Sequence, residues 1–209
     1  MYIPRYYRVE DREQIAEFLT RNAFGIIVAQ DSGRPLAVHA PCGFKEVEGA
    51  LICEFHVARG NPIWQHAPNN PEVLAIFPGP HTYISPSWYR DPNVPTWNYQ
   101  AVHLYGSCQV MSDEELAGFL ERMVARYEGG RPQARTWDTL TPEFRAKQMR
   151  AIVGLTITVT RIEAAAKMSQ NRSDEDFVNI VHQLESSKSP ADVSVSQVMR
   201  GVRPDVFES

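Results

Sequence analysis

The sequence contains few of the features that mark secreted, membrane-bound or metal-binding proteins. Its three cysteines, at positions 42, 53 and 108, include no CxxC pair, so they predict neither a disulfide framework nor a zinc site. No apolar run approaches the roughly 20 residues that cross a bilayer, and the opening stretch MYIPRYYRVEDREQ has no apolar region typical of a secretory signal. We therefore expect a protein of the cytoplasm without a membrane partner.

An excess of basic charge and the common catalytic motifs are also missing. Lysine and arginine number 21 against 25 aspartates and glutamates, a formal net charge of −4, whereas nucleic-acid binding usually shows as a clustered basic excess. The sequence has no GxSxG, Walker or GxGxxG motif and no evident nucleophile–base pair. No catalytic residue and no metal ligand is therefore assigned. The 43% of hydrophobic and 22% of charged residues are typical of a globular domain.

The hydrophobic pattern predicts a mainly β protein with inserted helices, an α+β barrel of six to eight strands. Predicted strands are the β-branched runs at 24–30, 35–44, 50–58, 72–79, 80–85, 99–111 and 152–169. Helices are predicted after the N-caps Asp11 and Ser112, and a shorter one in TPEFRAKQMRA. We expect a barrel domain over residues 1–172 and a helical C-terminal extension over residues 173–209.

The stretch HVARGNPIW joins the end of a predicted strand to a predicted helix start. Asn61 and Pro62 are a typical N-cap and first helical residue, and the free N–H groups of a helix start beside Arg59 favour a phosphate. The alternative is an ordinary capped helix with a solvated arginine. His39 and His56, on predicted neighbouring strands, are candidates for ligand contact, although histidines in such positions also serve structural roles.

The loop YISPSWYRDPNVPTWNY combines rigidity with aromatic surface. Its prolines restrict the backbone, its tryptophans and tyrosines supply flat faces, and its short polar side chains supply donors and acceptors. Such a mixture suits a planar ring with polar edges, and it equally suits a subunit interface. The candidate ring-contacting residues are Ser85, Trp88, Thr96, Trp97 and Asn98.

A last cluster of polar residues, KMSQNRS, lies between a predicted strand and a predicted helix. Its cations, amides and hydroxyls can bind a phosphate or the edge of a heterocycle, while a solvated turn with Ser173 as N-cap is the simpler alternative. The candidate ligand-contacting residues are Lys167, Gln170, Asn171 and Arg172.

In combination these segments resemble the PaiB-type FMN-binding negative transcriptional regulators of the flavin-binding split-barrel superfamily. The resemblance runs through MYIPRYYR, NAFGIIV, HVARGNPIW, GPHTYISPSWY, VPTWNY and VHLYG to KMSQNRS, and so covers most of the chain. It implies a split β-barrel that holds FMN at a homodimer interface and represses transcription. Met168 stands where leucine is usual, and the residues before and after His56 also depart mildly from the family pattern.

The resemblance also implies roles for the candidate residues. Arg59 and Asn61 would lie near the FMN phosphate, and His39 and His56 would line the cofactor groove. The aromatic loop would build the ring pocket or brace the partner subunit, and the KMSQNRS residues would contribute from the strand end. DNA is a further implied partner, but no basic recognition helix is evident.

Two other functions are compatible with the same fold. A flavin reductase or small FMN-dependent oxidoreductase would use NAD(P)H as its donor, with the flavin performing the redox step. A haem-binding barrel is the second alternative, because histidines are present, although none stands out as an axial ligand.

Overall fold

The computed structural model describes residues 1–208, in which we find six strands and six α-helices. The strands are β1 (Phe24–Asp31), β2 (Arg34–Val47), β3 (Ala50–Ala58), β4 (Val73–Ile84), β5 (Thr96–Val110) and β6 (Ile152–Lys167). The helices are α1 (Arg12–Arg21), α2 (Ile63–His66), α3 (Asp113–Glu128), α4 (Pro142–Met149), α5 (Asp174–Glu185) and α6 (Pro190–Val202). The strands close into a barrel in the order β1-β2-β3-β6-β5-β4, which confirms the predicted α+β barrel.

The first three strands form consecutive antiparallel hairpins. At the β1–β2 turn Ser32 and Gly33 have φ values of 49° and 84°, and at the β2–β3 turn Glu48 and Gly49 have φ values of 51° and 81°. Two successive left-handed residues give a tight turn whose twist matches that of paired strands. The sequence DSGR had predicted the first turn, whereas β2 continues to Val47, beyond its predicted end at residue 44.

Strand β4 is continuous where the sequence predicted two strands. It passes through Pro78 and Pro80 without interruption, so the predicted break between residues 79 and 80 is wrong. A proline fits an extended strand wherever the ladder does not need its missing N–H. The glycine between the two prolines also has a packing role, since a Cβ on Gly79 would lie 2.6 Å from the Phe18 ring.

The chain folds into two compact units. The central unit contains Leu19–Phe77 and His103–Ile162, and the terminal unit contains Met1–Phe18, Pro78–Val102 and the chain from Glu163 onwards. Strands β4, β5 and β6 each contribute one part to each unit. The predicted domain boundary at residue 172 stays a prediction.

The core of the central unit consists of the inward-facing side chains of the barrel strands. Along β3, Cys53, Phe55 and Val57 are buried, while His56 between them is half-buried. These three positions lie on one face of the strand, while Glu54 on the other face is buried by its contact with Arg122 of α3. All three cysteines are buried and carry free thiols.

Helix α3 packs on the outer face of the central unit's strands. It begins with the predicted capping box, in which the Ser112 hydroxyl accepts the Glu115 N–H at 3.2 Å and the Glu115 carboxylate accepts the Ser112 N–H at 2.8 Å. From this helix Arg122 donates to the buried Glu54 carboxylate at 2.8 Å, and Lys45 contacts the same carboxylate at 2.7 Å. Because two cations already satisfy it, Glu54 is not a ligand candidate.

The terminal unit has a hydrophobic core of its own, built mainly by α5 and α6. Helix α5 begins at its predicted N-cap, where the Ser173 hydroxyl accepts the Asp176 N–H at 3.2 Å. Both helices pack on residues at the ends of β4 and β6. The buried residues of this core are Ile84, Tyr89, Ala166, Met168, Phe177, Ile180, Val181, Leu184, Val195 and Met199. Within residues 1–208 no helix is both long and apolar enough to cross a membrane.

Candidate functional site

The end of β6 turns sharply and concentrates polar side chains in the terminal unit. The strand ends at Lys167, and Ser169 adopts a left-handed conformation with a φ of 60°, which is uncommon for a residue other than glycine. The Arg172 N–H then donates to the Ser169 carbonyl at 3.1 Å, and α5 starts directly afterwards. We call residues 167–172 the strand-end bend.

Two cations of the strand-end bend, Lys167 and Arg172, have no carboxylate within ion-pair distance in the part of the chain that the structure describes. Lys167 donates its ammonium to the Thr96 hydroxyl, and the Arg172 guanidinium lies 4.7 Å from the centre of the Tyr89 ring. Burial and, next, the positive charge of Arg172 lower the pKa of Lys167. Two half-buried cations that repel each other form a site that favours an anion.

The amides of two other predicted residues hold the strand-end bend in shape. The Gln170 amide accepts the Met168 N–H at 2.7 Å and donates to the Ala166 carbonyl at 2.5 Å. Asn98 is fully buried, accepts the Ser169 hydroxyl at 3.1 Å and donates to a methionine sulfur of α6 at 3.4 Å. Both amides are therefore engaged within the protein.

Two tyrosines also contact the strand-end bend, and the sequence analysis did not select either as a site residue. Tyr7 donates its hydroxyl to Asn171 at 3.1 Å, and its pKa is raised, chiefly by burial. The Tyr89 hydroxyl is buried and has no hydrogen-bond partner among residues 1–208, although buried hydroxyls are normally paired. The sequence signal for Tyr7 is its place in the segment MYIPRYYR, and that for Tyr89 is its place among the flat faces of the aromatic loop.

The aromatic loop leads into an exposed cluster of rings on β4 and β5. Trp97 is 55% exposed and Tyr83 is 44% exposed. The Trp97 ring centroid lies 6.1 Å from that of Tyr83 and 6.3 Å from that of His81. Because β5 begins at Thr96 rather than at the predicted residue 99, Trp97 belongs to the strand. We call His81, Tyr83 and Trp97 the aromatic face; exposed rings of this kind are typical of contact surfaces.

The two remaining loop candidates, Ser85 and Trp88, stabilise the loop itself. The Ser85 hydroxyl accepts the Ser87 N–H at 3.3 Å and begins the 3-10 turn Pro86–Trp88. Trp88 packs half-buried against the core of the terminal unit, and its carbonyl accepts the Asn179 amide at 2.6 Å. Their predicted contact with a flavin ring stays a prediction.

The two predicted histidines of the central unit have different surroundings. His39 is exposed, and its ring centroid lies 6.1 Å from that of Phe24. The His56 ring lies 6.0 Å from the Phe119 ring, and its Nδ1 is buried without a partner in residues 1–208. Burial lowers the pKa of His56, which favours the neutral imidazole. Over the same residues, no three His, Cys, Asp or Glu side chains gather as a metal site.

Local hydrogen bonds fix Arg59 and Asn61 at the end of β3. Arg59 donates from Nε to the Arg150 carbonyl at 2.8 Å and from Nη2 to the Ile152 carbonyl at 2.9 Å. Asn61 accepts the Ile63 N–H at 3.0 Å, but α2 begins only at Ile63 and has four residues. The helix therefore starts later than predicted. Since it has a single turn, it offers a phosphate only a small dipole.

Known proteins resemble this chain in both sequence and fold. A family described as "Putative FMN-binding domain" matches residues 1–161. The Bacillus subtilis protein named "Protease synthase and sporulation protein PAI 2" is 41% identical over 199 residues, which cover 95% of this chain and 96% of that protein. An uncharacterised protein of Aspergillus fumigatus is 29% identical over 152 residues, which cover 62% of this chain and 58% of that protein.

Two solved structures share the fold at low sequence identity. A flavocytochrome from Azotobacter vinelandii has a TM-score of 0.63 and 16% identity, covering 85% of this chain and 78% of that one. An FAD- and haem-binding protein from Mycobacterium smegmatis has a TM-score of 0.59 and 18% identity, covering 82% and 79%. With the family match and the Bacillus relative, these findings establish that the chain belongs to the PaiB-type family of FMN-binding split-barrel proteins.

Proposed function

We propose that this FMN-binding protein holds the phosphate of its cofactor at the strand-end bend and acts as a homodimeric negative transcriptional regulator. The observation that carries the proposal is the pair Lys167 and Arg172, two half-buried cations that approach each other without a carboxylate partner in the described residues. FMN carries a phosphate at one end and a planar ring with polar edges at the other. The cations fit the first, and nearby aromatic side chains fit the second.

The two cations offer complementary ways to bind a phosphate. The guanidinium of Arg172 can donate two parallel hydrogen bonds, whereas the ammonium of Lys167 acts as a point charge. Thr96 fixes the position of that ammonium through its hydroxyl. The buried Tyr89 hydroxyl, which lacks a partner in residues 1–208, is a further donor beside Arg172. Bound FMN supplies the redox chemistry of its ring, and these side chains bind and orient it.

The aromatic face supports the proposed homodimer. Trp97 and Tyr83 expose large apolar rings on neighbouring strands, and such residues are enriched where subunits meet. A second copy of the chain would remove these rings from water. The same rings can also wall the flavin, so both interpretations of the loop remain part of the proposal.

The regulatory role rests on similarity to the Bacillus relative, whose name refers to protease synthesis and sporulation. The C-terminal helices offer DNA few free cations, because Arg200 pairs with Glu185 and Arg203 pairs with Asp174. A DNA contact through these helices would have to break both ion pairs. The cytoplasm stays the expected location.

Flavin titration tests the cofactor part of the proposal. We expect the stripped protein to bind FMN about tenfold or more tightly than riboflavin, because only FMN brings a phosphate to the two cations. The measurement is flavin fluorescence quenching, with the visible spectrum of the purified protein as a check. Equal affinities for the two flavins would mean that the FMN phosphate does not bind at the strand-end bend.

Sedimentation velocity and gel mobility shift test the assembly and the regulatory role. By sedimentation velocity we expect a dimer that Trp97→Ala weakens, with Val94→Ala in the exposed loop as the matched control.

By gel mobility shift we also expect a sequence-selective shift of DNA from upstream of the gene, and this shift should weaken as the salt concentration rises. A shift with no sequence preference would contradict direct repression. Anaerobic bleaching of the bound flavin by NADH or NADPH would instead favour the oxidoreductase.

A further inference from the structure

A second cationic site lies in the central unit and includes Arg59, a residue that the proposed function does not assign to the FMN phosphate. It is a groove of about 630 Å³ between the end of β3, the start of α3 and the segment that contains α4. Volumes of this size are typical of small-molecule sites. The polar and aromatic residues that line the groove are Arg59, Asp113, Trp137, Arg145 and Arg150.

The charge of the groove is strongly positive. Three guanidinium groups, those of Arg59, Arg145 and Arg150, line it together with a single carboxylate, that of Asp113. In residues 1–208 none of the three arginines has a carboxylate within ion-pair distance. The groove therefore carries uncompensated positive charge and favours an anionic ligand.

Main-chain carbonyls hold two of these arginines in place without neutralising them. Arg59 donates to the carbonyls of Arg150 and Ile152 at 2.8 and 2.9 Å, and Arg145 donates from Nε to the Leu140 carbonyl at 3.0 Å. A guanidinium has five N–H groups, so each of these arginines keeps donors for a ligand. Because the groups are already oriented, less conformational entropy is lost when an anion binds.

An aromatic ring completes the groove. Trp137 is half-buried in a short 3-10 turn, and the Arg145 guanidinium lies 5.4 Å from its ring centre. The Leu140 N–H donates to the Trp137 carbonyl at 3.2 Å and holds the turn. An indole beside a guanidinium is a suitable surface for a planar base. The groove thus presents a stacking surface and anion donors together.

We propose that this groove is a nucleotide site, independent of FMN, in which the arginines bind the phosphate and Trp137 stacks on the base. A simple inorganic anion would use the arginines and leave the ring without a role. An uncharged base would use the ring and leave the arginines uncompensated. A ligand that joins a planar base to a phosphate uses both features.

The test is isothermal titration of the FMN-saturated full-length protein with ADP. We expect saturable binding of one ADP per chain, with adenosine and inorganic phosphate each binding about tenfold more weakly, since each lacks half of the recognised groups. Arg150→Gln should weaken ADP binding about fivefold or more. This arginine makes no described side-chain hydrogen bond, so its replacement leaves the fold intact. Trp137→Leu should weaken ADP but leave the weak binding of phosphate unchanged.

The matched control is Arg131→Gln, an exposed arginine of the preceding loop whose guanidinium pairs with Glu128. It should leave ADP binding unchanged, and all three variants should keep the FMN spectrum, which separates this site from the cofactor site. The proposal is overturned if ADP shows no saturable binding at millimolar concentration, or if adenosine binds as well as ADP. It is equally overturned if Arg150→Gln has no effect, or if excess FMN displaces ADP.

Discussion

The strand-end bend of the terminal unit and the groove of the central unit that contains Arg59 both carry cations without carboxylate partners. The two sites differ in how the protein positions these cations. At the bend, Lys167 and Arg172 are half-buried, and their repulsion helps to lower the pKa of Lys167. In the groove, Arg59 and Arg150 are exposed, and carbonyls rather than charges orient Arg59. A desolvated pair of like charges gains more from an anion than solvated charges do. We therefore expect the bend to bind a phosphate more strongly than the groove does.

The largest effect is expected where the polar network of the terminal unit is fully buried. Asn98→Leu removes the acceptor of the Ser169 hydroxyl and leaves that hydroxyl buried without a partner. We expect the free energy of unfolding to fall by about 3 kcal/mol, measured by urea denaturation. Asn69→Leu is the control, because Asn69 is exposed in the central unit. If both changes lowered the free energy of unfolding equally, the buried hydrogen bond of Asn98 would contribute no more to stability than an exposed asparagine does.

The next effect concerns the cation pair itself. Lys167→Ala should weaken FMN by roughly 1.5–3 kcal/mol while it changes riboflavin little, because a charged hydrogen bond to phosphate is lost. The control is Lys188→Ala, an exposed lysine of the same unit. Fluorescence titration of both flavins gives the comparison. If the two flavins lose the same affinity, Lys167 acts on the fold of the bend and not on the phosphate.

Arg59 tests whether the central unit shares the phosphate, as the sequence predicted. Arg59→Ala removes two hydrogen bonds to carbonyls, so we expect the free energy of unfolding to fall by about 1 kcal/mol. The FMN-to-riboflavin preference should change less than in Lys167→Ala. Urea denaturation and flavin titration of the same preparation measure both quantities. A loss of FMN preference as large as that of Lys167→Ala would mean that the FMN phosphate binds at the end of β3.

The features that the sequence predicted correctly are set by neighbouring residues. Asp11 accepts the Gln14 N–H at 2.9 Å and Ser112 completes its capping box, since a cap depends only on the next few residues. The cations and amides of the strand-end bend could be recognised for the same reason, because they are adjacent in the chain, while their contact with a ligand stays a prediction. The continuous β4 was missed because the tolerance of a strand for Pro78 depends on its partners in the sheet.

What the sequence left open depends on contacts between distant parts of the chain. The orientation of the Arg59 guanidinium is fixed by carbonyls at positions 150 and 152. Tyr7 reaches the bend only because the start of the chain lies beside Asn171. Asn98 was predicted as a ring contact; its burial and its bond to Ser169 show in addition that it stabilises the bend, and the ring contact stays a prediction. Residue type predicted the chemistry of these positions but not their partners.

The smallest predicted effect is the pH dependence of stability that comes from a buried ionisable group. Such groups are Lys167 in the terminal unit and His56 in the central unit. Lys167 is paired with a hydroxyl, whereas the buried Nδ1 of His56 has no partner in residues 1–208. Burial lowers the pKa of folded His56 below its unfolded value, which is about 6.5. Below that pH the unfolded chain binds a proton that the folded chain resists. Stability from this group is therefore present above about pH 6.5 and is lost as the pH falls towards the folded pKa.

The measurement is urea denaturation at pH 7.5 and at pH 5.5. His56→Leu should lose less stability between these pH values than the natural chain, because it lacks the imidazole whose protonation favours the unfolded state. His39→Gln, which changes an exposed histidine of the neighbouring strand, should keep the natural difference. If His56→Leu keeps it too, the imidazole takes up its proton in the folded state as readily as in the unfolded chain. The unpaired Nδ1 would then be open to solvent, and burial would have no greater consequence in the central unit than at the surface.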